Sequence, residues 1–462
     1  MTKMRKYIKN IILSIFSISM LISCQNELDT FNENPNDPIT TTPSLLLASM
    51  QVSTFSNHTT GLVRTANILD QHLAGTLVGQ LGETQRYIIT EQDANNEWNT
   101  IYGTTLMSGY LLNRDFATKY PYYNGIGKIL TALNLAYASD MWGDVPYDEA
   151  FKAEEGIKAP KYNTQEEIYT RLQTILDEAI IELKKPLSAN VSVPSSDDFI
   201  FGGKTEKWIK IAYVLKARYA LRLSQVDTGA AQKALDYITL SGISSNSDDA
   251  NTYFPGTSNG LNQWYAYDVD RGNYMKMGAF FVDYLVNTSD PRLEFSVAEN
   301  STGGYSGNTP EDINTTTSSY IGPAYASPTS PVGIVTYAEA KFIEAEAKFR
   351  LGQNGGAQTA LEQAIAASVL KITGTAATPT FLAQATAGIN LNKIITQKYL
   401  ALFLTLEPYN DFRRTGFPTL VANQLSSTKI IPVRLPTPSD ERNYNPNATV
   451  ISNTSTPLWW DK

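Results

Sequence analysis

The hydrophobic pattern predicts a mostly α-helical protein, and three observations carry that expectation. Past Pro43, apolar residues recur at steps of three and four, the helical period, far more often than in strict alternation. Ala-containing segments come in pairs joined by short polar turns, as helical hairpins require. One long insertion at about 241–331, dense in Ser, Asn, Thr and Gly, interrupts the helical pattern and reads as a loop-rich half, since loops of that length are functional or disordered. The 462 residues, 42% hydrophobic, suffice for a large core, which excludes disorder and a small stapled scaffold. The expected organisation is a leader over 1–23, a tether over 24–43 and a single helical domain over 44–462.

The leader is the first element. Lys3, Arg5, Lys6 and Lys9 precede an apolar run at 11–22, which is shorter than the roughly 20 residues that span a bilayer, so the segment reads as a secretory signal. Leu21-Ile22-Ser23-Cys24 then resembles the lipobox of bacterial lipoproteins, in which the cysteine is acylated and becomes the first mature residue. Cys24 is the single cysteine of the chain, so it has no intramolecular partner for a disulfide. Acyl chains contribute about 0.8 kcal/mol per buried CH₂ and would anchor the protein without spanning the membrane. Loss of residues 1–23 takes the net charge from −8 to −12, which leaves no basic surplus for a phosphate backbone or anionic lipid. The next residues, QNELDTFNENPNDPITTTP, favour turns and extended backbone and form the tether.

Helices follow. Ile126, Ile129, Leu130, Leu133 and Tyr137 make a stripe over 125–139; Ile168, Leu172, Ile175, Leu176, Ala179, Ile180 and Leu183 make a second over 165–183, opened by a Thr164/Glu167 capping box and stopped by Pro186. A third contains Trp208, Ala212, Leu215 and Tyr219. The stretch TYAEAKFIEAEAKFRLGQNGGAQTALEQAIAAS carries apolar residues on more than one face, with Glu344–Lys348 and Glu346–Arg350 at the favourable i,i+4 spacing. Its two helices around Gly352 form a tetratricopeptide-like hairpin, echoed more weakly by VLKARYALRLSQVDTGAAQKALDYITLSG. Within 241–331, helical periodicity is confined to about 275–286, yet aromatics such as Tyr253, Trp264, Tyr265, Tyr267, Tyr274, Tyr305, Tyr320 and Tyr325 argue against plain disorder.

Taken together, FNENPNDPITTTPSLLL after the cysteine, YASDMWGDVPYDEA at 137–150, PKYNTQEEIYTRL at 160–172, KTEKWIKIAYVLKARYALRLS at 204–224, YAEAKFIEAEAKFRLG at 337–352, IITQKYLALF and YNDFRRTGFP at 409–418 resemble the SusD/RagB family of nutrient-binding outer-membrane lipoproteins, in particular its shorter SusD-like branch. The resemblance implies a helical scaffold with tetratricopeptide-like hairpins and a loop-rich ligand-binding half. It also implies a place on the cell surface, lipid-anchored in the outer membrane, over a SusC-like TonB-dependent transporter. There the protein would bind oligosaccharides or peptides and pass them on unchanged.

Ligand contacts are expected among loop aromatics, because a Trp or Tyr ring offers an apolar face to sugar C–H groups and Tyr adds a polar tip. Two groups qualify: Trp98, Asn99 and Tyr102 in EQDANNEWNTIYG, and Trp264, Tyr265, Tyr267 and Tyr274 in the insertion. Trp142, Gly143, Asp144, Pro146 and Tyr147 read as a structural turn, and Arg413 and Arg414 as partners of buried acids or carbonyls. A catalytic reading is disfavoured: His58 and His72 stand without ligand-type neighbours, no thiol remains besides Cys24, and no Gly-rich phosphate loop appears. No cofactor or metal is expected, since oxygen ligands for a structural Ca²⁺ are abundant but follow no specific motif. Two alternatives stay open, a helical lipoprotein glycosidase and a protein-interaction scaffold that binds no small ligand.

Overall fold

Thr42 opens the first helix. Its side chain accepts from Leu45 N, and Pro43 occupies the first turn, where the missing N–H has no helical partner to lose. The computed structural model describes Met4 and residues 41–461 apart from 78, 314 and 315. The leader, Cys24 and the tether up to residue 40 lie outside the described residues. Helix α1 (Pro43–Thr59) runs into α2 (Gly61–Leu69), followed by α3 (Pro121–Trp142), α4 (Gln165–Leu183), α5 (Thr205–Arg222) and α6 (Ala230–Ser241). The insertion contributes α7 (Gln263–Asp270) and α8 (Ala279–Asn287), and the chain continues through α9 (Tyr337–Arg350), α10 (Asn354–Thr373), α11 (Leu391–Ala401) and α12 (Glu407–Thr415). Strand is limited, among the described residues, to three antiparallel pairs of two or three residues each.

The long helices form a stack: α3 packs on α4, α4 on α5, α5 on α6, α6 on α9, and α9 on both α10 and α11. The local chemistry explains the pieces. Thr164 and Glu167 complete the expected capping box, with Glu167 N donating to Thr164 Oγ1 at 3.3 Å and Thr164 N to Glu167 Oε2 at 2.8 Å. All seven residues of the α4 stripe are buried. Where α9 and α10 cross, Ala345, Ala360 and Ala364 let the backbones approach, and Phe342, Leu361, Ile365 and Ile394 fill the remaining space.

Both arginines of the FRRTGFP segment are structural. Arg413 Nη1 donates to Asp140 O at 2.6 Å and Val433 O at 2.7 Å, while Arg414 Nη2 bonds Glu346 and Asp411, each at 2.8 Å. The WGDVPY turn is likewise part of the scaffold. Trp142 Nε1 donates to Pro436 O at 3.0 Å, Gly143 takes φ 88° at the end of α3, and Asp144 Oδ1 accepts from Gln165 N at 2.9 Å at the start of α4.

Two expectations are corrected. The polar stretch around Trp98 is helical over most of 92–116, including π-type turns at Thr100–Leu106 and Leu112–Phe116, because Ile101, Thr105, Leu106 and Leu112 bury a face against α1 and α3. Inside the insertion, helix begins earlier than its periodicity indicates: the Asn262 side chain accepts from Trp264 N and Tyr265 N and so caps α7. Met275–Met277 is a strand rather than the start of a helix, and α8 starts only at Ala279.

Candidate ligand-binding site

Strand Leu73–Gly75 pairs antiparallel with Met275–Met277, Leu73 facing Met277 and Gly75 facing Met275. This pairing joins two distant parts of the chain. Thr76 N donates to Tyr274 O at 3.2 Å, so the turn that leaves the first strand lies beside the loop that follows α7. The short helix Gln80–Gln85 then folds back so tightly that a Cβ on Gly82 would lie 1.8 Å from Thr76 O, an approach open only to glycine.

The folded-back segment forms one side of an open cleft of 660 Å³, lined by Leu77, Gln80, Glu83, Arg86, Asp93 and Glu97 among others. Its borders are aromatic. Tyr274 lies against Gly79, where a Cβ would sit 2.1 Å from the ring, and the Arg271 guanidinium stands 5.8 Å from the Tyr274 centroid. Tyr267 lies under Arg64 of α2, whose guanidinium carbon is 4.3 Å from its ring centroid.

Glu97 lines the cleft and has Arg64 of α2 as an electrostatic neighbour. Arg64 Nε and Glu97 Oε2 are buried without a hydrogen-bond partner in the protein. Burial pushes Glu97 above the ordinary carboxylate range despite the nearby Arg64, and burial likewise pulls Arg64 below the ordinary guanidinium range. Polar atoms held this way lose several kcal/mol of hydration unless something else satisfies them. Behind the cleft, burial pushes Asp268 up to about 7 against the pull of Lys276, whose ammonium sits 3.2 Å from the Tyr320 centroid.

The sequence-derived candidates separate into two places. Trp98 is 4% exposed, stacked 4.4 Å from Tyr102 and edge-on to Trp142 at 5.2 Å, and Tyr102 OH donates to Pro146 O at 2.9 Å. That pair supports the WGDVPY turn and offers no ring face to a ligand, while Asn99 next to it is exposed. Trp264 is fully buried; Tyr265, Tyr267 and Tyr274 are half-buried, and Tyr274 packs against Gly79 of the cleft. Arg64, Glu83, Arg86 and Glu97 escaped the sequence reading. One signal was present, since Arg64 is the lone charge in GLVRTANIL.

Both histidines serve the scaffold. His58 faces Tyr137 OH at 2.6 Å and Gly333 O at 2.9 Å, and His72 stacks 3.7 Å from the Tyr399 ring. Among the described residues no group of His, Cys, Asp and Glu is arranged to hold a metal ion, and no helix is long and apolar enough to cross a membrane.

A family model described as "Starch-binding associating with outer membrane" matches residues 35–438. The chain belongs to this SusD-like family. Solved SusD-like structures share its fold across nearly their whole length. A SusD/RagB family protein from Bacteroides thetaiotaomicron is 24% identical, with 91% of this chain and 99% of that one covered and a TM-score of 0.78. A chitin-binding SusD homolog from Flavobacterium johnsoniae is 22% identical, with 90% and 98% covered and a TM-score of 0.79. A SusD homolog from Bacteroides uniformis is 22% identical, with 90% and 99% covered and a TM-score of 0.74. No curated protein matches the chain. As a SusD-like protein it falls in an outer-membrane-associated family of nutrient-binding proteins, and its helical architecture agrees with the expected class.

Proposed function

We propose that this SusD-like protein is a non-catalytic surface lipoprotein, anchored in the outer membrane through Cys24, that captures an oligosaccharide or peptide nutrient and delivers it to a SusC-like TonB-dependent transporter. Residues 24–43 act as the tether and 44–462 as a single domain. The observation that carries the binding role is the unpartnered Glu97 Oε2 in a cleft whose lining residue Gly79 packs against Tyr274, with Arg64, stacked on Tyr267, as the electrostatic neighbour of Glu97. A sugar hydroxyl both accepts and donates, so it can satisfy the guanidinium and the carboxyl together while the rings cover its C–H surface. The starch-binding description of the family and the chitin-binding neighbour favour a glycan over a peptide. Non-catalysis is supported by the scaffold roles of His58 and His72 and by the neutralising partners around the buried carboxylates of the helical stack.

Titration of the purified protein with oligosaccharides and peptides, with product analysis of each mixture, tests the reading. One ligand class is expected to bind saturably without turnover, and Tyr267→Ala is expected to weaken it about tenfold, the effect of losing one aromatic contact of 1–2 kcal/mol. Undiminished affinity in both Tyr267→Ala and Arg64→Ala would remove the cleft from the proposal; product formation would favour the glycosidase alternative. For the anchor, Cys24→Ala is expected to move the protein from the membrane fraction to the soluble fraction.

A further inference from the structure

We propose a second ligand site, separate from the cleft, that takes one pyranose unit of an uncharged glycan in the aromatic pocket between α1 and the loop after strand Ala250–Asn251. The pocket encloses 490 Å³, within the usual range for small-ligand sites. Phe55 and Phe254 are buried in its lining, their centroids 6.3 Å apart, and Phe199 and Tyr253 form a second ring pair 6.2 Å apart and inclined by 26°. Tyr253 is 54% exposed, an unusual position for a large ring held beside a partner on a fixed loop.

The walls are fixed by hydrogen bonds. Phe199 N donates to Gln51 Oε1 at 2.7 Å; Gly256 N and Gly260 O close the opposite loop at 3.1 Å; Asn262 Nδ2 ties that loop to Ser330 O at 2.6 Å. A site this well held loses little conformational freedom when a ligand enters.

The choice of occupant follows from the lining chemistry. No charged side chain lines the pocket, whereas Glu83, Arg86, Asp93 and Glu97 all line the cleft. A uronate, a phosphate or a peptide terminus would give up its hydration here for no counter-charge. A neutral pyranose meets what is present: near-parallel rings for its C–H face, and Ser56, Asn259 and Gln263 for its hydroxyls. Gln263 is also the first residue of α7, which carries Tyr267 against Arg64, the electrostatic neighbour of Glu97 in the cleft. Eight helical residues span about 12 Å, so a longer glycan running past α7 can engage both sites.

The test uses full-length protein in a non-glycosidic detergent, titrated by ligand-observed NMR with maltose, cellobiose and N,N′-diacetylchitobiose, with digalacturonate as the charged control. At least one neutral disaccharide is expected to bind with an affinity that Tyr253→Ala lowers tenfold or more and Tyr253→Phe preserves. Digalacturonate binding, where it occurs, should be indifferent to both variants. Since Tyr253 is largely exposed, Tyr253→Ala should keep the wild-type melting temperature. Neutral-sugar binding unaffected by Tyr253→Ala, no binding of any neutral disaccharide, or Tyr253-dependent binding confined to the apolar dipeptide acetyl-Phe-Leu-amide would each overturn the proposal. The cleft is judged separately, by Tyr267→Ala and Arg64→Ala together: binding lost in Tyr253→Ala and unchanged in both of those would keep this site and reject the cleft, and binding unchanged in Tyr253→Ala but weakened in those would do the opposite.

Discussion

Charges are buried in two parts of this molecule and treated differently in each. Within the helical stack, Arg218 bonds Glu339 at 2.6 Å, Arg222 bonds Asp140 at 2.8 Å and Glu407 at 2.5 Å, Arg414 holds Glu346 and Asp411, and Lys398 meets Asp411 at 2.8 Å. At the wall of the cleft Glu97, and next to it Arg64, keep polar atoms with no hydrogen-bond partner in the protein. The first arrangement spends its charges on holding helices together. The second leaves hydrogen-bonding capacity facing a place where a ligand can use it. Arg413 Nε and, beyond its ion pair with Lys398, Asp411 Oδ2 in the stack also lack hydrogen-bond partners, so a buried charge is a pointer to function only where a missing partner coincides with a cleft, as at Glu97.

The sharpest way to break this comparison is to remove a cation from the stack. Arg414→Met leaves Glu346 and Asp411 short of a counter-charge in a site closed to water, and the expected loss is about 3–5 kcal/mol of unfolding free energy by denaturant titration. Adding Glu346→Leu should restore part of it, because an apolar replacement removes the stranded charge. Arg64→Met at the cleft wall should cost much less stability, its guanidinium being half-buried and bonded to no carboxylate.

Acid offers the next test. Burial alone would raise Glu346 and Glu407, yet Arg414, Arg222 and Arg218 hold both below the ordinary carboxylate range. Their contribution is present above the unfolded value near 4.5 and is lost as pH falls through the lower folded value. His58 acts earlier. Burial lowers it from 6.5 to about 4, so between those values the unfolded chain binds a proton the native chain refuses, and stability falls as pH drops from 6.5 toward 4. The span corresponds to about 3 kcal/mol, and His58→Gln should flatten that part of the pH–stability curve.

What could be read from the sequence followed the same division. Helices with a continuous apolar stripe were legible, as in α4, where cap, stripe and stop all lie within one stretch of chain. The arginines at 413 and 414 were legible as structural, because cations near a helix end pair readily with buried acids and carbonyls. The cleft was not. It is built by pairing Leu73–Gly75 with Met275–Met277, some 200 residues apart in the chain, and nothing local encodes that register. Trp98 and Trp264 look like ligand aromatics in polar sequence, but both are core residues, since a large ring beside polar neighbours is still drawn inward when its own helix packs. Tyr267 and Tyr274 were picked for the same reason and stay half-buried, Tyr274 against Gly79 of the cleft, so residue type selects candidates and only tertiary placement sorts them.

Asp268 gives an effect of opposite sign to the stack. Burial raises it to about 7, with Lys276 opposing, so the native state keeps a proton that the unfolded state releases near 3.8. Stability from this group is present in acid and declines as pH rises from about 4 to 7. Asp268→Asn should abolish that decline and leave the acid limb set by His58, Glu346 and Glu407 untouched. Parallel pH–stability curves for the wild type and Asp268→Asn would place Asp268 with the ordinary surface carboxylates.

Arg171 with Asp148 sets the lower bound of the comparison. The pair forms at 3.1 Å, but both side chains are more than 40% exposed, so water screens the attraction and each long side chain loses freedom in making it. Arg171→Ala should therefore change unfolding stability by no more than about 0.5 kcal/mol and lose even that in high salt. The contrast with Arg414→Met isolates what burial adds, because both substitutions remove one guanidinium from one or two carboxylates at nearly the same distance. A loss above about 2 kcal/mol at Arg171 would mean that pairing alone, without burial, carries the stability of the stack, and the distinction between satisfied and unsatisfied buried charge would no longer locate a site.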